Sequence, residues 1–288
     1  MIDLHSHSTA SDGTTSPADL VRAAADAGLT VIALTDHDTT AGWAPAAAAL
    51  PAGLTLVPGA ELSCKWFGGA QPVSLHMLAY LFDPTDAPLA EAMARVKHSR
   101  LGRAQTMVER LRADGVPITW ADVLADANGG SVGRPHIAAA LIRAGLVDTT
   151  AEAFRSEWLG QRYRVPKEDL EVFAALALVR AAGGVTVFAH PRATARGPVV
   201  PDSMIEELAA AGLSGLEVDH HDHSAQQRVE VRALADRLGL VATGSSDYHG
   251  RHKTVRLGEH TTAPEAYERL ISGATGATVI AGVGGPPA

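Results

Sequence analysis

Histidines and carboxylates recur in this chain at spacings suited to gripping a metal ion. His5 and His7 stand two apart in DLHSHS, so in an extended backbone both imidazoles face one way and can reach one ion. Asp12 follows in the turn sequence TASDGT, TDHD groups Asp36, His37 and Asp38, and PGAELS carries Glu61. VSLHML supplies His76, and AHPR holds His190 just before a proline. Further on come DHHDHS, with His220, His221 and His223, and GSSDYHG, where Asp247 and His249 repeat the two-residue spacing. Taken singly, each has a plain explanation: a core histidine, a turn-forming Asp, a Glu capping a helix. The joint arrangement does not, because almost every strand-like run brings one of these side chains to its end. Imidazole mixed with carboxylate, and no thiolate, suits Zn, Mn or Fe. Nine candidate ligands are too many for one ion, so two or three ions sharing a bridging carboxylate are expected.

The elements that must position these groups are legible as period and punctuation. Seven short apolar runs, at residues 2–5, 30–35, 54–58, 73–81, 185–189, 216–218 and 240–243, read as strands. Helical patterns at 16–27, 170–182, 201–211 and 225–238 separate several of them, the first opened by Ser16 and Pro17. Gly28, Gly183, Gly212 and Gly239 stand where helix C-caps belong. Alternating strands and helices imply an α/β fold with a parallel sheet covered on both faces, and seven strands suffice to close or nearly close a barrel. Such barrels build their sites at the C-terminal rim of the strands.

The alternation breaks between 86 and 167, where helical spacing alone remains, at 89–112, 120–128 and 136–144. This stretch reads as a helical insertion or lid domain in a barrel made of 1–85 and 168–288. It holds 12 basic and 9 acidic residues, net +3, against 12 and 23, net −11, in the remainder. Single residues such as Arg95, Arg103 and Arg110 are also what any solvated helix face carries. A possible last strand at 278–281 precedes a loose tail ending GVGGPPA.

Composition narrows the function classes. The 288 residues are 46% hydrophobic with mean hydropathy +0.06, enough for a sizeable core. The one cysteine, Cys64, removes disulfide scaffolds and Cys-rich zinc fingers and reads as a small packing residue. A reducing cytoplasm is the expected compartment, with neither a secretion signal nor an apolar membrane span. A net charge of −8 argues against duplex DNA as a partner. Ser245 and Ser246 lack the G-x-S-x-G elbow and read as backbone-shaping residues, not nucleophiles.

The series HSH, SDGT, LTDHDT, GAELS, the strand histidine His76, AHP and SSDYHG resembles the PHP (polymerase and histidinol phosphatase) family of the amidohydrolase-like superfamily, over residues 2–250. The resemblance implies a distorted, TIM-like barrel of seven strands. It implies one metal held by His5, His7, Glu61 and Asp247, a second by Glu61, His76 and His190, and a third by Asp12, His37 and His249. The insertion, with GRPH at residues 133–136, resembles a bacterial subgroup similar to nucleoside 3',5'-bisphosphate phosphatases that also trim short RNA from the 5' end. That narrower match implies Arg134, His136 and Lys167 as substrate contacts. His223 resembles a residue near the leaving group, with Asp247 and His249 beside the chemistry, although any of His220, His221 and His223 could face the site. The expected reaction is metal-dependent hydrolysis of a phosphate monoester of a small nucleotide, with Mn as the first choice of ion, Zn or Fe as others, and short single-stranded RNA as a further substrate. Histidinol-phosphate hydrolysis is the rival activity. A non-catalytic, metal-stabilised nucleotide-binding module is the rival of another class.

Overall fold

A computed structural model describes residues 1–125 and 132–282. The end of the expected helix 120–128, from residue 126, and the tail from residue 283 lie outside the described residues. Seven strands run side by side in the order β1 (Ile2–Asp3), β2 (Val31–Leu34), β3 (Thr55–Trp66), β4 (Val73–Tyr80), β6 (Val185–Phe188), β7 (Gly215–Asp219) and β8 (Val241–Gly244). Two short strands, β5 (Leu170–Glu171) and β9 (Ile280–Ala281), pair with β3. A bridge between Ser6 and Tyr248 joins the ends of β1 and β8, so the sheet nearly closes into a barrel.

Most neighbours are parallel, but β4 is antiparallel to both β3 and β6, which corrects the expectation of a parallel sheet throughout. The reason lies in the connection. Only residues 67–72 separate β3 from β4, too few for a crossover, whereas a hairpin needs no more. The reversal brings the N-terminal half of β4 to the rim where the parallel strands end, opposite the far half of β3: His76 pairs with Ser63.

The expected barrel helices form as α1 (Pro17–Asp26), α7 (Val172–Ala181), α8 (Asp202–Ala211) and α9 (Ala225–Leu238), with α2 (Trp43–Ala48) and α10 (Pro264–Ile271) in addition. Local chemistry accounts for their ends: Ser16 accepts the Asp19 N–H at the start of α1, and Gly212 and Gly239 close α8 and α9 in the left-handed conformation. Leucines such as Leu20, Leu176 and Leu208 turn inward and are almost wholly buried, each contributing about 1.5–3 kcal/mol. The remaining helices, α3 (Ala87–Ala113), α4 (Trp120–Leu124), α5 (Arg134–Arg143) and α6 (Thr150–Ala153), enclose an apolar cluster of their own that includes Met107, Leu111, Ile137, Leu141 and Leu159. The first half of α3 instead packs Leu89 and Met93 into the barrel's outer core.

Candidate metal centre

At one mouth of the barrel, six strands deliver imidazoles and carboxylates to a common point. His5 and His7 follow β1, His37 follows β2, Glu61 and His76 lie within β3 and β4, His190 follows β6, and Asp247 and His249 follow β8. Asp12 swings in from the turn before α1. The backbone there is strained to suit: Asp38, His190 and Asp247 have φ of 53°, 33° and 54°, in the left-handed region that costs an ordinary residue of order 1–3 kcal/mol.

The innermost quartet has the dimensions of an ion's coordination shell. His5 Nε2 and His7 Nε2 are 3.1 Å apart. Glu61 Oε2 lies 3.3 and 3.1 Å from them, and Asp247 Oδ1 lies 3.3 and 3.4 Å away. A tetrahedral ion bound at about 2.0–2.1 Å separates its ligands by about 3.3–3.4 Å. Asp247 Oδ1 is buried without a hydrogen bond, and so is His76 Nδ1, a cost that a cation between these groups would remove. The residues present therefore fit divalent ions.

Glu61 is placed to bridge. Its Oε2 faces the quartet and also His37 Nδ1 at 3.2 Å, while Oε1 faces His76 Nδ1 at 2.8 Å and His190 Nε2 at 3.2 Å. A third grouping surrounds Asp12, with His249 Nε2 at 3.4 Å, His7 Nδ1 at 3.6 Å and His37 Nε2 at 3.7 Å. His7, His37 and Glu61 belong to more than one grouping, so the clusters are contiguous. All nine residues expected as ligands meet here.

A surrounding set of partners aims the rings. His5 Nδ1 lies 3.0 Å from Glu217 Oε1, and His249 Nδ1 lies 2.8 Å from the Asp247 carbonyl. With Nδ1 donating, each ring presents its Nε2 lone pair to the cluster. Glu217 also accepts the His190 N–H and the Ser245 hydroxyl. The sequence reading passed over Glu217, although a lone carboxylate inside the apolar run of β7 was a signal that it faces something charged. The neighbouring Ser246 N–H donates to Asp3 Oδ1.

Electrostatics divides the ligands. Burial alone would depress His5, yet Asp247, Glu61 and Glu217 hold its pKa well above the usual range. His7, likewise buried, is raised to about 9 by Asp247 and Glu61. Burial wins at His37 and His190, both well below the usual range, and burial with Lys253 takes His249 down to about 4. Burial opposes ionisation of Glu61, Asp12 and Asp247, but the surrounding imidazoles, with Lys253 and Arg196 at Asp247, keep all three well below normal.

His223 lies apart from the ligand atoms. Its Nε2 accepts the Arg192 N–H and its Nδ1 donates to the Val218 carbonyl, so both ring nitrogens are occupied by backbone. His220 is the ring turned to the cluster: its Nδ1 accepts the Asp222 N–H, which leaves Nε2 as the donor, 3.3 Å from Asp247 Oδ2. His221 pairs with Asp222 at the edge.

Arg134, His136 and Lys167 belong to a basic group on the insertion side. Arg100, on α3, donates to Asp38 Oδ2 and Ser63 Oγ at 2.9 and 2.6 Å, one residue from His37. Burial and the guanidiniums of Arg100, Arg134 and Arg164 pull Arg103 down to about 9, and burial followed by Arg164 and Arg100 lowers Arg134. Lys167 pairs with Asp169 and is pushed down to about 6 by burial and Arg100. Arg134 also stacks over Phe154 at 5.0 Å. His136 is buried, its Nδ1 accepting the Gly133 N–H, and its ring lies 6.5 Å from that of His252, just past His249.

Comparison with known proteins decides the family. The PHP domain pattern matches residues 3–94. Over 268 residues the chain is 33% identical to the 3',5'-nucleoside bisphosphate phosphatase of Chromobacterium violaceum, covering 90% of this chain and 91% of that relative. The chain belongs to the PHP family. It is also 34% identical over 264 residues to a 5'-3' exoribonuclease of Haemophilus influenzae, with 90% and 93% of the two chains covered. The crystal structure of a Bifidobacterium adolescentis protein described as a metal-dependent phosphoesterase superposes with a TM-score of 0.88 at 37% identity, over 95% of this chain and 96% of that one. This PHP protein is accordingly a metal-dependent phosphoesterase, a hydrolase of phosphate esters. No helix among its described residues is long and apolar enough to cross a membrane.

Proposed function

We propose that this PHP enzyme removes phosphate from small nucleotides, converting a 3',5'-nucleoside bisphosphate to the 5'-monophosphate, and that the same site trims short 5'-phosphorylated RNA. The observation that carries this reading is the adjacency of two unlike regions: contiguous groups of His, Asp and Glu suited to two or three divalent ions, and a cationic group of Arg100, Arg103 and Arg134 beside His37. Such a pair suits a substrate with two anionic groups, one to be cleaved and one to be held. The activities for which the two relatives are named point the same way. Histidinol phosphate carries an ammonium that this cationic group would repel, and complete retention of the ligand set argues against a non-catalytic module.

In this assignment His5, His7, Glu61 and Asp247 hold one ion, Glu61, His76 and His190 a second, and Asp12, His37 and His249 a third. Mn is the first choice. Divalent cations there would activate water for in-line attack and neutralise the phosphoryl oxygens. Arg134 clamps the phosphate that is not cleaved, since a guanidinium matches phosphate geometry, with His136 and Lys167 beside it. His220 takes the role first expected of His223, its Nε2–H protonating the leaving oxygen. Residues 86–167 act as a lid over a barrel of 1–85 and 168–288, a division supported by the separate apolar cluster of α3–α6. Cys64 is buried in the core, which suits a reducing cytoplasm. The test is phosphate release from a panel of phosphorylated metabolites and 5'-phosphorylated oligonucleotides with Mn-loaded protein. Preference for a nucleoside 3',5'-bisphosphate over its 3'-monophosphate supports the reading. Equal turnover of both, or preference for histidinol phosphate, overturns it.

A further inference from the structure

Arg196 sits on the loop after β6, in the single turn Thr194–Arg196, and takes no part in the site as assigned above. Its three nitrogens nevertheless all reach that site. Nε donates to Asp222 Oδ2 at 2.6 Å, Nη2 donates to Asp247 Oδ2 at 2.7 Å, and Nη1 lies 3.0 Å from His190 Nε2. We infer that Arg196 is a phosphate-binding residue of this enzyme, one that stands in as the cluster's counter-cation until divalent ions take that place. The inference rests on the metal-site assignment made under the proposed function.

Two geometric facts carry it. His190 Nε2 lies 3.2 Å from Glu61 Oε1 and 3.0 Å from Arg196 Nη1. One lone pair cannot serve both an ion shared with Glu61 and a guanidinium N–H, so Nη1 must leave His190 when the ion binds. The planar fork is meanwhile held at the mouth by Asp222 and Asp247. Its freed N–H groups then project beside the ions, where phosphoryl oxygens must lie, in the bidentate form that suits phosphate. The second fact is charge. Asp247 divides its labour, Oδ1 facing His5 and His7 and Oδ2 facing outward to Arg196, His220 and Lys253. Arg196 and Lys253 thus bring two cations to one carboxylate oxygen, while Asp222 pairs with Arg196 from the other side. The Arg196 side chain is 32% exposed, so its guanidinium can be reached by an incoming anion.

The experiment compares the full-length protein with Arg196→Ala and Arg196→Lys. Mn binding to chelator-stripped protein is read by calorimetry, inorganic phosphate binding to Mn-loaded protein by competitive inhibition, and KM and kcat with the preferred nucleotide. Arg196→Ala should tighten binding of the ion at His190 by several-fold, since its competitor is gone. It should weaken phosphate binding and raise KM by about tenfold or more, the weight of a charge-assisted pair, with a smaller effect on kcat. Arg196→Lys should recover part of the loss, a point charge lacking the fork. Should the alanine variant fail to fold, Asp222→Asn loosens the same fork from outside the ligand set and should raise KM by a smaller factor. Unchanged Mn affinity, phosphate affinity and KM in variants beside an active wild type overturns the role of Arg196 alone. A wild type that binds no ion and releases no phosphate overturns the functional reading and this inference together.

Discussion

The barrel mouth and the helical insertion solve opposite electrostatic problems. The mouth gathers nine His, Asp and Glu residues, all buried except the partly exposed His76, whose nitrogen and oxygen atoms converge on common points, so it gains from cations placed among them. The insertion brings Arg100, Arg103 and Arg134 together on helices that already have their own apolar core, so it gains from an anion. Neither region is satisfied by its own partners: Asp247 Oδ1 in the first and the Nε atoms of Arg100 and Arg103 in the second are buried without hydrogen bonds. Unsatisfied groups of opposite sign, set side by side, are what a phosphoesterase needs for ions on one side and substrate on the other.

The contrast is broken most directly at the mouth. His7→Ala should lower kcat by about 1000-fold or more, since it removes a ligand of the central quartet and several kcal/mol of charge stabilisation. Phosphate release with Mn is the measurement, and retention of more than a tenth of the activity would count against the site. Glu217→Gln, one step removed, should weaken ion binding by about 10- to 100-fold through the lost orientation of His5, read by competition with a chelator. On the insertion, Arg134→Ala should raise KM for a nucleoside 3',5'-bisphosphate about tenfold and leave KM for the 3'-monophosphate unchanged. Equal changes on both substrates would remove the division between cleaved and held phosphate.

The smallest effect concerns protons. His7 binds its proton up to about pH 9 when no ion is present, against an ordinary 6.5, and an ion must displace that proton. Affinity for Mn should therefore climb between pH 6.5 and 9, with a proton released on binding at pH 7 and none well above pH 9, as calorimetry in buffers of different ionisation heat would show. The raised pKa also stabilises ion-free protein below pH 6.5, and this contribution fades as pH rises through about 9. Chelated protein should lose thermal stability over that window while Mn-loaded protein does not.

Much of the site was legible because it depends on short-range facts. His5 and His7 face one way in any extended chain, and Asp247 and His249 repeat that spacing. The barrel followed from the apolar runs, and Gly212 and Gly239 ended their helices as helix-capping chemistry requires. The direction of β4 was misjudged although the six-residue gap at 67–72 was visible, since pattern alone does not tell a hairpin from a crossover unless the gap is measured. Glu217 and Arg196 escaped because a single acidic residue in a strand and a single arginine in a loop have ordinary explanations, and their partners lie far away in the chain.

What the order of amino acids determined by itself is the inventory of ligands, the elements that carry them and the net charge of each region. These depend on residue type and on spacing of a few positions, which backbone stereochemistry turns into direction. Which of His220 and His223 turns inward, which ring nitrogen holds a proton, and which cation sits against Asp247 were decided only by the nearly closed barrel. Those choices rest on contacts such as His5 with Glu217, 212 positions apart, and hydrogen bonds and Coulomb forces act over ångströms of space regardless of distance along the chain.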